Sequence, residues 1–155
     1  MQLNTRPKAM LCAAAFFAML LPAAACAAEP LQGVWKEVDD EATTSVVRFE
    51  KTSSGWIGRY VKVSADQASY GFRVGEAVIR GRLEGTRFTG EVLLKAGDAA
   101  SACPSLGTGW VPARMTLVDR GQRLHGDFLG TLVDESDECR KTGTYWRRYR
   151  LQRLE

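Results

Sequence analysis

Leu31-Gln32-Gly33-Val34-Trp35-Lys36-Glu37-Val38 is the first stretch of the 155-residue chain that reads as folded structure, and it reads as a strand. Val34 and Val38 fall on one side and Gly33 and Trp35 on the other, the two-residue period of a pleated chain. A large aromatic two positions after a glycine suits a first strand whose ring plugs the end of a barrel. There the missing side chain at Gly33 leaves room for close packing. On that reading the chain closes into a small β-barrel with this strand as its seam.

Downstream, no long segment carries an apolar 3.6-residue period. Short alternating runs recur instead, separated by turn residues. After 31–38 they cover residues 44–51, 56–63, 76–83, 86–94, 111–119, 122–133 and 144–154, about eight strands in all. Glu84-Gly85 and Arg120-Gly121 mark tight connections, because glycine tolerates the positive φ such turns need. With no crossover helix between strands, the simplest topology is an antiparallel up-and-down barrel. In such a meander the loops 39–43, 64–75, 96–109 and 134–142 share one end, and the shorter turns near 52–55, 84–85 and 120–121 share the other.

Upstream of the seam, residues 1–28 have the layout of a cleaved secretory signal peptide. Arg6 and Lys8 precede an apolar run from Met10 to Leu21, Pro22 breaks it, and small residues follow up to Ala28. The run is too short for a membrane-spanning helix. Cleavage falls after Ala28, or after Ala27. An acylated Cys26 would make the product a lipoprotein, but Ala23 stands where such sites prefer Leu, so no lipid anchor is expected. The mature domain is then 29–155, of a size for one domain with a single core. The expected location is the periplasm or the outside of the cell.

Charge narrows the function classes. The chain has 21 Lys and Arg against 18 Asp and Glu. Losing Arg6 and Lys8 with the leader leaves a near balance, which argues against generic nucleic-acid binding. Of the four cysteines, Cys12 and Cys26 leave as well. Cys103 and Cys139 remain as an even pair in an oxidising compartment, where a disulfide is the default. Both lie in loops at the shared long-loop end, so a bridge there would staple the barrel mouth, contributing on the order of 3 kcal/mol. Only His125 could join them as a metal ligand, so neither a metal site nor a cofactor is expected.

Alternation points Ile57, Val61, Ile79, Leu83, Phe88, Val92, Met115, Leu117, Leu124 and Phe128 inward. Gly81, Gly90, Gly126 and Gly130 share their phase. Inward glycines relieve crowding and let strands bend, or else leave space for a ligand.

These features resemble the calycin superfamily of lipocalins, fatty-acid-binding proteins and avidin-like proteins. Gly33-Val34-Trp35 looks like the Gly-x-Trp of their first strand. Trp146-Arg147-Arg148-Tyr149-Arg150-Leu151 sits where they place a last-strand arginine over that tryptophan, and Arg150 is the residue expected there. Gly55-Trp56-Ile57-Gly58-Arg59-Tyr60 is avidin-like in rhythm. Asp119-Arg120-Gly121 stands where a Thr-Asp-Tyr-type motif would, and the biotin-lining residues of avidins have no positional match. The resemblance implies a fold, a structural Trp–Arg contact and, as a class tendency, ligand binding.

No catalytic constellation emerges. His125 alternates out of phase with Leu124 and Phe128, facing solvent rather than a nucleophile. In Tyr145 to Arg150 the basic residues divide between two faces, which suits structural cation–π packing better than an anion patch. The resulting expectation is a non-enzymatic barrel that binds a small, mostly apolar ligand through Ile57, Val61, Ile79, Phe88, Met115 and Phe128. The alternative is an envelope protein-interaction module, such as an inhibitor or immunity-type protein. It would act through the acidic long-loop end, at Asp134, Glu135, Asp137 and Glu138.

Overall fold

The computed structural model describes residues 29–38, 44–95, 109–134 and 139–154. The candidate signal peptide, Cys26, Cys103, Glu135, Asp137 and Glu138 lie outside them. Eight strands run in order: β1 Gly33–Glu37, β2 Val46–Thr52, β3 Gly55–Lys62, β4 Ala77–Glu84, β5 Arg87–Leu94, β6 Gly109–Val118, β7 Arg123–Asp134 and β8 Arg140–Arg153. Each pairs antiparallel with the next, and β8 returns to β1, so the sheet closes into a barrel without a crossover. The meander expected from the alternating runs is the observed one. One short helix, α1 (Ala65–Ser69), interrupts the β3–β4 connection where an irregular polar loop was expected.

The seam is short. Trp35, Lys36 and Glu37 face Arg153, Gln152 and Leu151 across β1–β8. Trp35 is fully buried, and its indole N–H donates to the Leu31 carbonyl 2.9 Å away. Its ring starts an edge-to-face series, Trp35 to Phe49 at 6.1 Å and Phe49 to Phe88 at 6.4 Å, that fills the barrel axis. Gly33 serves the seam differently from the packing reading. Its φ of 130° is a conformation that L side chains rarely adopt, so backbone shape requires glycine there.

The cation over Trp35 is the Arg153 guanidinium, 4.3 Å from the ring centre, and not that of Arg150. Register explains the difference: Arg153 is the direct partner of Trp35, whereas Arg150 pairs with His125 on the outward phase. Arg153 also donates to the carbonyls of Gly121, Gln32 and Pro30, tying the segment before β1 and the end of β8 to the 119–122 turn. Burial lowers its pKa from the ordinary arginine value. Arg153→Ala is expected to cost about 1–3 kcal/mol, read as a lower urea midpoint, because several carbonyls lose a charged donor at once.

Inward glycines reflect close strand approach. A Cβ on Gly90 would sit 2.0 Å from the Arg80 carbonyl oxygen, and one on Gly126 2.0 Å from that of Arg114. Gly90→Ala should therefore destabilise the barrel by about 1–3 kcal/mol in urea unfolding, since two strands must separate to admit one methyl.

Candidate functional site

Strand β1 turns Trp35 and Glu37 to the same side, so the chain places a carboxyl inside the barrel two residues beyond the aromatic plug. Glu37 is only 4% exposed. A carboxyl taken from water into an apolar interior is costly unless hydrogen bonds replace its hydration. Two phenols supply them. Tyr60 of β3 and Tyr149 of β8 both donate to Glu37 Oε1, at 2.9 and 2.6 Å. Both are ordinary lengths for a hydroxyl donating to an oxygen. Each tyrosine ring is held edge-to-face by a phenylalanine: Phe72 against Tyr60 at 5.5 Å, and Phe128 against Tyr149 at 5.9 Å.

Phe72 belongs to the β3–β4 connection, which folds back over this end. Ser64 caps α1 by accepting from the Gln67 N–H, and the Ser64 N–H donates to the buried Ser45 hydroxyl. Lys95, at the end of β5, holds the connection from the other side. Its ammonium lies 5.0 Å from the Phe72 ring centre, pairs with Glu76 at 2.6 Å and donates to the Gly71 carbonyl.

Opposite, β7 and β8 outrun their neighbours. β6 reaches β7 only as far as Phe128, while β7 and β8 stay paired to Asp134 and Arg140. The inward phase of this overhang carries Phe128, Gly130, Leu132, Tyr145 and Arg147. The Tyr145 ring lies on Gly130, where a Cβ would come 2.7 Å from it. Leu132 and Tyr145 are 47% and 42% exposed, and Arg147 is exposed and makes no ion pair among the described residues. The result is an apolar shelf with a guanidinium at its rim, leading down to the Glu37 carboxyl.

The residues expected to line a ligand site divide three ways. Ile57 and Val61 face outward, Val61 being 37% exposed, because β3 buries the opposite phase, Trp56, Gly58 and Tyr60. Ile79 and Phe88 are inward but fully buried, so no water-sized void touches them, and Met115 is nearly so. They are core. Phe128 alone of the six stands at the mouth beside the tyrosines. Glu37, Tyr60, Tyr149 and Phe72 were not among the expected site residues, although Glu37 repeats the phase of Trp35 within the first strand.

Comparison with known proteins finds no matching family model, and no match among the curated proteins or the solved structures. The likeness to calycins therefore stays a resemblance.

Other sites are less suited. An open groove of about 820 Å³ at the short-turn end, bordered by Thr86, Leu117 and Gln122, holds Arg153, whose donors are already engaged. Among the described residues no group of three His, Cys, Asp or Glu could hold a metal, and no helix is long and apolar enough to cross a membrane. His125 is half-buried on the outward phase, opposite Thr116 and Arg150. Asp134 ends β7, and Cys139 is buried just before β8.

Proposed function

We propose that the barrel binds a small, mostly apolar molecule at its long-loop mouth, between the β7–β8 shelf and the Phe72 side of the β3–β4 connection. The observation that carries this reading is Glu37, a buried carboxyl that accepts from two phenols inside a mostly apolar barrel. A few convergent polar groups among aromatic walls are the usual make-up of a small-molecule site. Phe128 and Tyr145 supply apolar contact, Arg147 the rim charge, and the Glu37–Tyr60–Tyr149 cluster the polar floor. The sealed core beneath favours binding at the mouth over binding along the barrel axis.

Anilinonaphthalene sulfonate, apolar rings with one anionic group, is a suitable probe. Saturable one-site binding is expected, weakened at least about tenfold in Arg147→Ala, the loss of roughly 1.4 kcal/mol. Near-UV circular dichroism should be unchanged, which separates this from dye uptake by a loosened core. Equal affinity in the variant would remove the mouth from consideration.

A second reading has its own support. Leu132 and Tyr145 are exposed on one face of a projecting hairpin whose tip sequence is acidic, with Trp146, 43% exposed, on its other face, and exposed apolar side chains mark docking sites. A protein partner captured by the wild type and lost on Tyr145→Ser with Trp146→Ser would favour it.

The export signal and the Cys103–Cys139 bridge belong to the same proposal. Cys139 is buried at the long-loop end, where β5 also stops and β6 begins. Intact mass of the mature protein should begin at Glu29 and be two hydrogens lighter than the dithiol.

A further inference from the structure

The outward phase of β4 to β8 carries an arginine array that the mouth does not use. In register across five strands run Arg82, Thr89, Arg114, Asp127 and Arg148. The adjacent row runs Glu84, Arg87, Thr116, His125 and Arg150, and Arg80 faces Glu91 on the other side. These three rows therefore hold six arginines against three carboxylates in a protein whose mature charge is nearly balanced. Arg80 is paired with Glu91 at 2.7 Å. Arg82, Arg87, Arg114 and Arg148 are exposed, and none makes an ion pair among the described residues. Asp127, which stands in register between Arg114 and Arg148, makes none either. Unneutralised guanidinium groups held on a rigid sheet are a standing attraction for anions.

The pattern also speaks to the kind of anion. Arg82 and Arg114 stand two strands apart, roughly 10 Å, and Arg87 in the next row makes the array two-dimensional. A nucleic-acid strand is tracked by a linear groove with free aromatic faces for its bases. Here the tryptophans are roofed: Arg80 lies 4.2 Å over Trp110 and Arg114 4.0 Å over Trp146. Indoles beside arginines on an exposed face suit the headgroup layer of a bilayer, where both side chains are at home. We infer that the outer β4–β6 wall, which presents Arg82, Arg87 and Arg114 on adjacent strands, is a docking surface for an anionic phospholipid membrane. The protein would then lie on the bilayer with its mouth to one side.

Co-sedimentation of the purified protein with vesicles tests this. Vesicles with about one third phosphatidylglycerol should bind it at about 0.05 M salt and release it at about 0.5 M, because screening shortens the reach of exposed charges. Phosphatidylcholine vesicles should not bind it. The R82Q/R87Q/R114Q variant should lose at least about tenfold in partitioning, since each basic residue near an anionic surface contributes separately. R48Q/K62Q, on exposed β2–β3 positions, should lose little. If the triple variant folds poorly, Asp127→Asn serves instead and should tighten binding, a gain that no packing defect would give. No binding to anionic vesicles at low salt would overturn the inference. So would an equal loss in R48Q/K62Q, or binding of a single-stranded oligonucleotide without binding of vesicles.

Discussion

Trp35→Ala is expected to lower unfolding free energy by about 3–5 kcal/mol, the range for truncating a large buried aromatic, and to bring the protein to the edge of folding at 37 °C. The effect has several sources that fail together. The indole is the first ring of the series through Phe49 to Phe88, its N–H satisfies the Leu31 carbonyl, and its face carries Arg153. Its loss also falls on the narrowest part of the sheet, where only three residues of β1 pair with β8. Trp35→Phe should recover much of the loss, since a ring remains in the cavity and about 1 kcal/mol of hydrogen bonding is what it lacks. Urea unfolding followed by far-UV circular dichroism reads both. A loss below about 1 kcal/mol for the alanine variant would mean that the seam does not hold the barrel closed.

The Glu37 cluster gives the second large effect. Glu37→Ala removes the acceptor of two phenols and leaves a cavity, with an expected cost of about 2–4 kcal/mol. Stability alone would not separate a hydrogen-bonded cluster from a tightly packed side chain, so the informative design is a double-mutant cycle. Glu37→Gln, Tyr149→Phe and the double variant should give a coupling energy of about 1.5–3 kcal/mol, the strength of a hydrogen bond to a charged group. Additive single losses would mean that the 2.6 Å contact carries no energy of its own.

The strands were legible because alternation and turn residues reported the same boundaries. Gly85 and Gly121 do take positive φ at their turns, and each β-run of the sequence overlaps an observed strand. The phase of β3 was not legible. Trp56-Ile57-Gly58-Arg59-Tyr60-Val61 offers two inner faces, and the one with aliphatic Ile57 and Val61, which also carries Arg59, is the wrong one. Trp56 and Tyr60 go inside, where the Tyr60 hydroxyl finds a partner on Glu37. Gly58 goes with them because a Cβ there would meet Val47 at 2.9 Å.

The site was hidden for a related reason. Each of Glu37, Tyr60 and Tyr149 is ordinary in its own strand, and only closure between β8 and β1 brings residues 112 positions apart within hydrogen-bond reach. A signal did exist: Glu37 sits in phase with an inward Trp35, which forces a carboxyl into the interior. The Trp–Arg contact of the seam was foreseeable in kind but not in register. A choice between Arg150 and Arg153 depends on strand stagger, which a sequence pattern does not report.

Native mass spectrometry of the protein taken from its own cell, compared with its denatured mass, bears most directly on small-molecule binding at the mouth. The account predicts a native species carrying one extra small-molecule mass that denaturation releases and that Arg147→Ala no longer retains. A native species without added mass, or one whose added mass persists unchanged in Arg147→Ala, would contradict it.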